Sequence, residues 1–189
     1  MGMRLFLATG TAVLCSALAT THWVPGLSQY GPLNVTRDCS VGMNTLELDM
    51  RQALRTLPEF GVFDHLAYRV GQGVVTLSGE VMAPDLRYLA EGVAWTESGV
   101  ISVNNEIHVL TVSPAENELR KAVFVAIYSD PVLQPYTRTS GGMIHIVVEG
   151  HRVILEGEVS SKTDAERALR IACAVAGAAA AVSHLTVCY

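Results

Sequence analysis

The sequence predicts an α+β protein made of two repeated α-β-β-α-β units, each a small three-stranded mixed sheet with two helices on one face. Three observations lead there. Stretches with helical apolar spacing alternate with short stretches of period-two alternation. That order of elements occurs twice. And residues 75–109 align without a gap on residues 153–187 at a constant offset of 78, with nine of 35 positions identical, the mark of an internal duplication.

The elements follow in order. Arg4 precedes an apolar run over residues 5–19 that ends Ala17-Leu18-Ala19. A basic start, a short apolar middle and a small-x-small end form a secretory signal, cut near Ala19. The run is shorter than the roughly 20 residues a spanning helix needs, so an uncleaved anchor is the second reading. Cys15 follows Leu14, and the absence of a small residue there disfavours a lipid anchor. Residues 20–43 hold Pro25, Gly26, Gly31, Pro32 and Gly42 with no sustained period, which reads as an extended arm.

The first unit is expected over residues 44–110. Asn44 with Glu47 forms a capping box. Met50, Ala53, Leu54 and Leu57 then share one helix face until Pro58 stops it. A hairpin turns at Gly71-Gln72-Gly73. Pro84 opens a second helix whose stripe is Leu86, Leu89, Ala90, Val93 and Ala94, closed by Gly99. A half-buried strand alternates through Ile101, Val103, Asn105, Ile107 and Val109.

The second unit is expected over residues 113–188. Ser113-Pro114-Ala115-Glu116 is a capping box with proline at the first helical position. Leu119, Ala122, Val123, Ala126 and Ile127 form that helix's buried face. A hairpin turns at Gly150. Ser161 with Asp164 opens the last helix, Ala165, Ala168, Ala172 and Val175 face inward, Gly177 ends it, and residues 179–187 are the last strand. The first helices of the two units align at an offset of 69 rather than 78, so the second unit carries nine extra residues within 130–142, read as a mobile surface loop. Its strands are apolar on both faces: Ile144, Ile146 and Val148 oppose Val147, and Val153 and Leu155 oppose Ile154. Such strands want cover from the other unit or a partner.

Composition limits the functions. Net charge is −5, hydrophobic residues are 50% and aromatics 6%, which argues against nucleic-acid binding with its clustered cations and stacking rings. No nucleophile elbow, phosphate-cradling glycine loop or His-Glu-x-x-His is present. Glu80 and Glu158 occupy equivalent places in different units rather than one cleft, so no catalytic residue is assigned. The six histidines and four cysteines fit no metal pattern, and the histidines are read as surface residues. No cofactor is expected. With the leader removed, three cysteines remain, and a Cys39–Cys188 bridge would tie the arm to the last strand. Gly79, Gly99, Gly157 and Gly177 are read as fold-defining.

The segment Val75-Thr76-Leu77-Ser78-Gly79-Glu80-Val81, followed by a helix and then Gly99-Val100-Ile101-Ser102-Val103-Asn104-Asn105-Glu106-Ile107-His108-Val109, resembles the BON domain. The second copy keeps Val153-Ile154-Leu155-Glu156-Gly157-Glu158-Val159 but has Ser183 for the asparagine and alanines after Gly177. The resemblance covers nearly all of the mature chain and implies a non-enzymatic bacterial envelope protein, located in the periplasm and associated with osmotic stress. It implies a binding or scaffold role in envelope integrity through a phospholipid or other envelope surface, with no catalytic residues. The alternative is a structural subunit of a ring-shaped secretion or pilus assembly, with self-association or a protein partner. The expected contact surface lies on the second unit: Val132, Leu133, Tyr136, Arg138 and Met143 in the loop, and His151 and Arg152 at the hairpin. Its apolar and aromatic residues suit insertion and its cations suit phosphate.

Overall fold

The computed structural model describes residues 12–13, 43–137, 144–175 and 177–188. A two-residue strand β1, Ala12–Val13, lies inside the apolar run expected as the leader and pairs antiparallel with the second unit.

The first unit runs α1 (Thr45–Arg55), β2 (His65–Gly71), β3 (Val74–Val81), α2 (Pro84–Thr96), β4 (Ser102–Asn105) and β5 (His108–Val109). The second repeats it as α3 (Pro114–Tyr128), a 3-10 turn (Gln134–Thr137), β6 (Ile144–Glu149), β7 (Arg152–Val159), α4 (Lys162–Ala174), β8 (Ala180–Ser183) and β9 (Thr186–Val187). In each, the middle strand pairs antiparallel with its hairpin partner and parallel with the strands after the crossover helix. The parallel partner must be reached across the sheet, and the helix supplies that crossover.

The helices start where the sequence places them. Asn44 and Ser113 close full capping boxes with Glu47 and Glu116, and the Ser161 side chain accepts from Asp164 N–H. Each cap satisfies backbone donors that the first turn leaves without partners. On α2, Leu86, Ala90 and Ala94 are fully buried, and on α4 Ala168 and Ala172 are. Small side chains there let helix and sheet approach closely. Leu89, expected in the stripe, is 40% exposed: it sits at the stripe's edge, where Ala90 already fills the contact.

Two cores result. One gathers Met50, Leu54, Val75, Leu77, Val81 and Leu86, and the other Val123, Ile127, Ile144, Ile146, Val153 and Leu155. Val147, on the opposite face of β6, is also fully buried, so the second sheet is covered on both sides there.

All four fold-defining glycines have positive φ, between 93° and 117°. Gly79 shows why: a Cβ there would sit 2.2 Å from the His65 carbonyl oxygen, so no side chain fits without moving the β2–β3 ladder.

Two expectations need correction. The last strand of each unit is not continuous. Asn105 Oδ1 accepts from Ile107 N–H at 3.2 Å, and Ser183 Oγ accepts from Leu185 N–H at 3.4 Å. A short polar side chain two residues ahead captures the amide and breaks the strand; Ile101, expected at the strand's start, lies before β4 and is 74% exposed. The second correction concerns the insertion. Leu133 is fully buried and Tyr136 8% exposed, both in the second core. Tyr136 O–H donates to Asp164 Oδ2 at 2.6 Å and accepts from Ser160 N–H at 2.8 Å. This part of the loop is a packed plug held over the start of α4. Residues 138–143 lie outside the described residues.

Candidate functional site

The units meet along residues 60–65, which follow α1 and run past the edge of β6. Ile146 N–H donates to Val62 O at 2.7 Å, extending the ladder across the junction. Val62 and Phe63 pack on the second core, and Phe63 meets Phe124 edge-on at 5.9 Å. Phe60 lies against the His145 ring at 5.2 Å, and His145 Nδ1 is 3.1 Å from Gly61 O. Asp64, 5% exposed, ties the segment down by accepting from Gly61 N–H and Met82 N–H.

Beside this apolar contact sits a cluster of ionisable groups from both units. His65 Nδ1 is 3.4 Å from Glu80, and its Nε2 is 3.9 Å from Glu156 of the other unit. His184 Nδ1 is 2.5 Å from Glu156 Oε1. Arg51 and Arg55, one turn apart on α1, reach Glu158 at 2.6 and 2.8 Å. The alternation of β3 and β7 puts these carboxylates on the sheet face away from each unit's own helices, and the docking of the units brings the faces together.

Burial works against charge on His65, but Glu80 and Glu156 outweigh it and raise its pKa. The Glu156 hydrogen bond raises the pKa of His184. His145 goes the other way: burial, with His65 beside it, lowers it to about 4. The expectation of surface histidines therefore fails for His65, His145 and His184. Histidines on the polar side of a strand gave no sign that a second unit would cover that side.

A second buried charge holds α3. Arg120 is 1% exposed; its Nη2 donates to Val148 O at 2.6 Å and its Nη1 to Asn117 at 3.0 Å, while Nε has no partner among the described residues. Glu116 accepts from Gly150 N–H at 2.8 Å. Together they fix the helix on the β6–β7 hairpin.

Of the expected contact residues, Leu133 and Tyr136 belong to the core and are not available to a ligand. Val132 is 45% exposed. His151 is exposed in the hairpin turn and Arg152 half-buried beside it. Arg138 and Met143 lie outside the described residues. Cys188 is disulfide-bonded; Cys39, its expected partner, lies outside the described residues. Exposed aromatic surface is found elsewhere, on the first unit. Tyr88 and Trp95 stand two turns apart on the same side of α2, 68% and 52% exposed, with Ile101 in the loop beyond. Each was visible as a large residue off the apolar stripe. Among the described residues no cluster fits a metal ion and no helix is long and apolar enough to cross a membrane.

Comparison with known proteins decides the family. The BON domain profile matches twice, over residues 47–111 and 135–189. The chain belongs to the BON family. One match falls on the first structural unit and the other on the second from its 3-10 turn onward, leaving α3 outside the matched residues. A relative from Anaplasma centrale, described as an uncharacterized protein in the gshII 5' region, is 32% identical over 102 residues, which is 49% of this BON protein and 68% of the relative. Among solved structures, CdsD, a structural protein of the type III secretion system of Chlamydia trachomatis, aligns at 11% identity with a TM-score of 0.30, covering 75% of this chain and 91% of that one. Its C-terminal domain aligns at 11% identity with a TM-score of 0.28, covering 78% and 99%.

Proposed function

We propose that this BON protein is an exported, non-enzymatic component of the cell envelope that associates with phospholipid surfaces through α2 of its first unit. The carrying observation is the exposed pair Tyr88 and Trp95. Rings with an apolar body and a polar edge suit the interface between headgroups and acyl chains. Ile101 adds an aliphatic contact. The net charge of −5 makes insertion, rather than attraction to anionic headgroups, the driving term. Family membership supports a binding role over a catalytic one. The Arg4-to-Ala19 pattern supports export, and N-terminal sequencing of envelope material beginning near Thr20 is the expected result.

The test is vesicle co-sedimentation on phosphatidylcholine, with and without added salt. Binding is expected to survive salt and to fall about tenfold or more in the Tyr88→Ser/Trp95→Ser variant, since each ring contributes on the order of 1–2 kcal/mol on burial. Equal binding by the variant would remove α2 from the site.

A further inference from the structure

We propose that the junction between the two BON units is a protonation-controlled latch, tight when His65 and His184 carry protons and loosened when both are neutral, while each unit keeps its own fold. This goes beyond the membrane reading and does not depend on it.

The geometry assigns the histidines this role through Glu156. Its carboxylate is 14% exposed, and its ion-pair partners among the described residues are the two histidines, one from each unit. Glu80 faces His65 in the same way. By contrast, Glu158 is held by Arg51 and Arg55, whose charge does not change between pH 5 and 9. Deprotonating His65 and His184 therefore leaves Glu80 and Glu156, two half-buried carboxylates from opposite units that both reach His65, without a cationic partner among the described residues. Desolvated carboxylates without partners drive toward water, and separating the units is what admits it.

Among the described residues, the charged and titratable groups around the two histidines come from both units. Arg51 and Arg55 come from α1, His65 from β2, Glu80 from β3, His145 from β6, Arg152, Glu156 and Glu158 from β7, and His184 from the turn after β8. Asp64 is committed to backbone amides. Arg152 acts weakly on His184 in the direction of deprotonation. His145, with its pKa lowered to about 4, stays neutral above pH 5 and takes no part in the transition. The carboxylates beside them raise both switching histidines above the ordinary 6.5, so the latch loosens as pH rises through those raised values. Each unit has its own core, so loosening the junction does not require unfolding either.

One amide reports the latch directly. Ile146 N–H is bonded to Val62 O across the junction, whereas Glu106 N–H is bonded to Leu77 O within the first unit. The experiment is NMR on the full mature chain from pH 5.5 to 9. It follows the histidine ring protons and the amide exchange of Ile146 and Glu106, corrected for intrinsic rates. His65 and His184 should titrate above 6.5, and Ile146 protection should fall at least about tenfold through the same midpoint, with Glu106 unchanged. In Glu156→Gln the histidine midpoints should drop by about one unit and the step in Ile146 protection should shrink with them. Histidines that titrate at or below 6.5, or Ile146 protection that stays constant while they titrate, would overturn the latch. Loss of Glu106 protection together with Ile146 would overturn it too, because that is global unfolding.

Discussion

Glu156 is shared by two histidines from different units: His184 Nδ1 lies 2.5 Å from one carboxylate oxygen and His65 Nε2 lies 3.9 Å from the other. The two residues that meet most closely there, His184 and Glu156, are 28 positions apart, whereas His65 arrives from the first BON domain. Each histidine already has a carboxylate within its own unit, Glu80 for His65 and Glu156 for His184, and the docking of the copies links the two pairs through His65 and Glu156.

The first prediction is a stability optimum near pH 6.5. His65 and His184 have folded pKa values above the unfolded 6.5. Their contribution is complete below about 6.5 and is lost as pH rises through the raised values. His145, lowered to about 4, behaves oppositely: its contribution is present above about 6.5 and is lost as pH falls toward 4, by roughly 2–3 kcal/mol. Urea unfolding at pH steps from 4 to 9 should give a maximum near 6.5 that falls on both sides. A curve still rising at pH 8.5 would contradict the histidine assignment.

Glycine positions separate strain from clash. Gly79 has φ +117° and backbone 2.2 Å from the site of a Cβ, whereas Gly150 has φ +55° and open space around it. Gly79→Ala should cost at least about 3 kcal/mol or prevent folding, and Gly150→Ala only about 1 kcal/mol. Thermal melts of the two proteins make the comparison; equal shifts would mean that the β2–β3 ladder yields easily.

Ala90 and Ala168 occupy equivalent positions, both fully buried between helix and sheet. Replacing either with Leu should cost about 1–3 kcal/mol by overpacking. Gly92 on the exposed side of α2 has nothing within 4 Å of a built Cβ, and Gly92→Ala should instead stabilise by about 0.5–1 kcal/mol. Opposite signs in denaturant midpoints are the expected pattern.

The insertion plug is tested at Tyr136. Its hydroxyl bridges Asp164 and Ser160 N–H, so Tyr136→Phe should cost about 1–2 kcal/mol. A neutral result would return this loop to the surface role that its length suggested.

The Cys188 bond makes a covalent prediction. A non-reduced peptide map should recover Cys188 linked to Cys39, and reduction should lower stability by about 2–4 kcal/mol. Recovery of Cys188 as a free thiol would exclude the tether.

What the sequence by itself determined is local and repeated. The capping boxes at Asn44 and Ser113, the proline starts at Pro84 and Pro114, and the alternation in β3 and β7 act within a few residues, so position in the chain is enough to read them. The offset of 78 added the shared topology and the family. What only the tertiary structure decided is how surfaces meet. The strand breaks at Asn105 and Ser183 depend on a side chain choosing a nearby amide over solvent. Leu133 and Tyr136 look like interfacial residues in a loop until the start of α4 is seen beneath them. His65 and His145 look like solvent-facing strand residues until the opposite BON domain docks against them. For the plug and the histidines the deciding partner is distant in sequence, and burial against that partner, rather than residue type, fixes the role; at Asn105 and Ser183 the partner is only two residues away, but residue type does not say whether the side chain takes it.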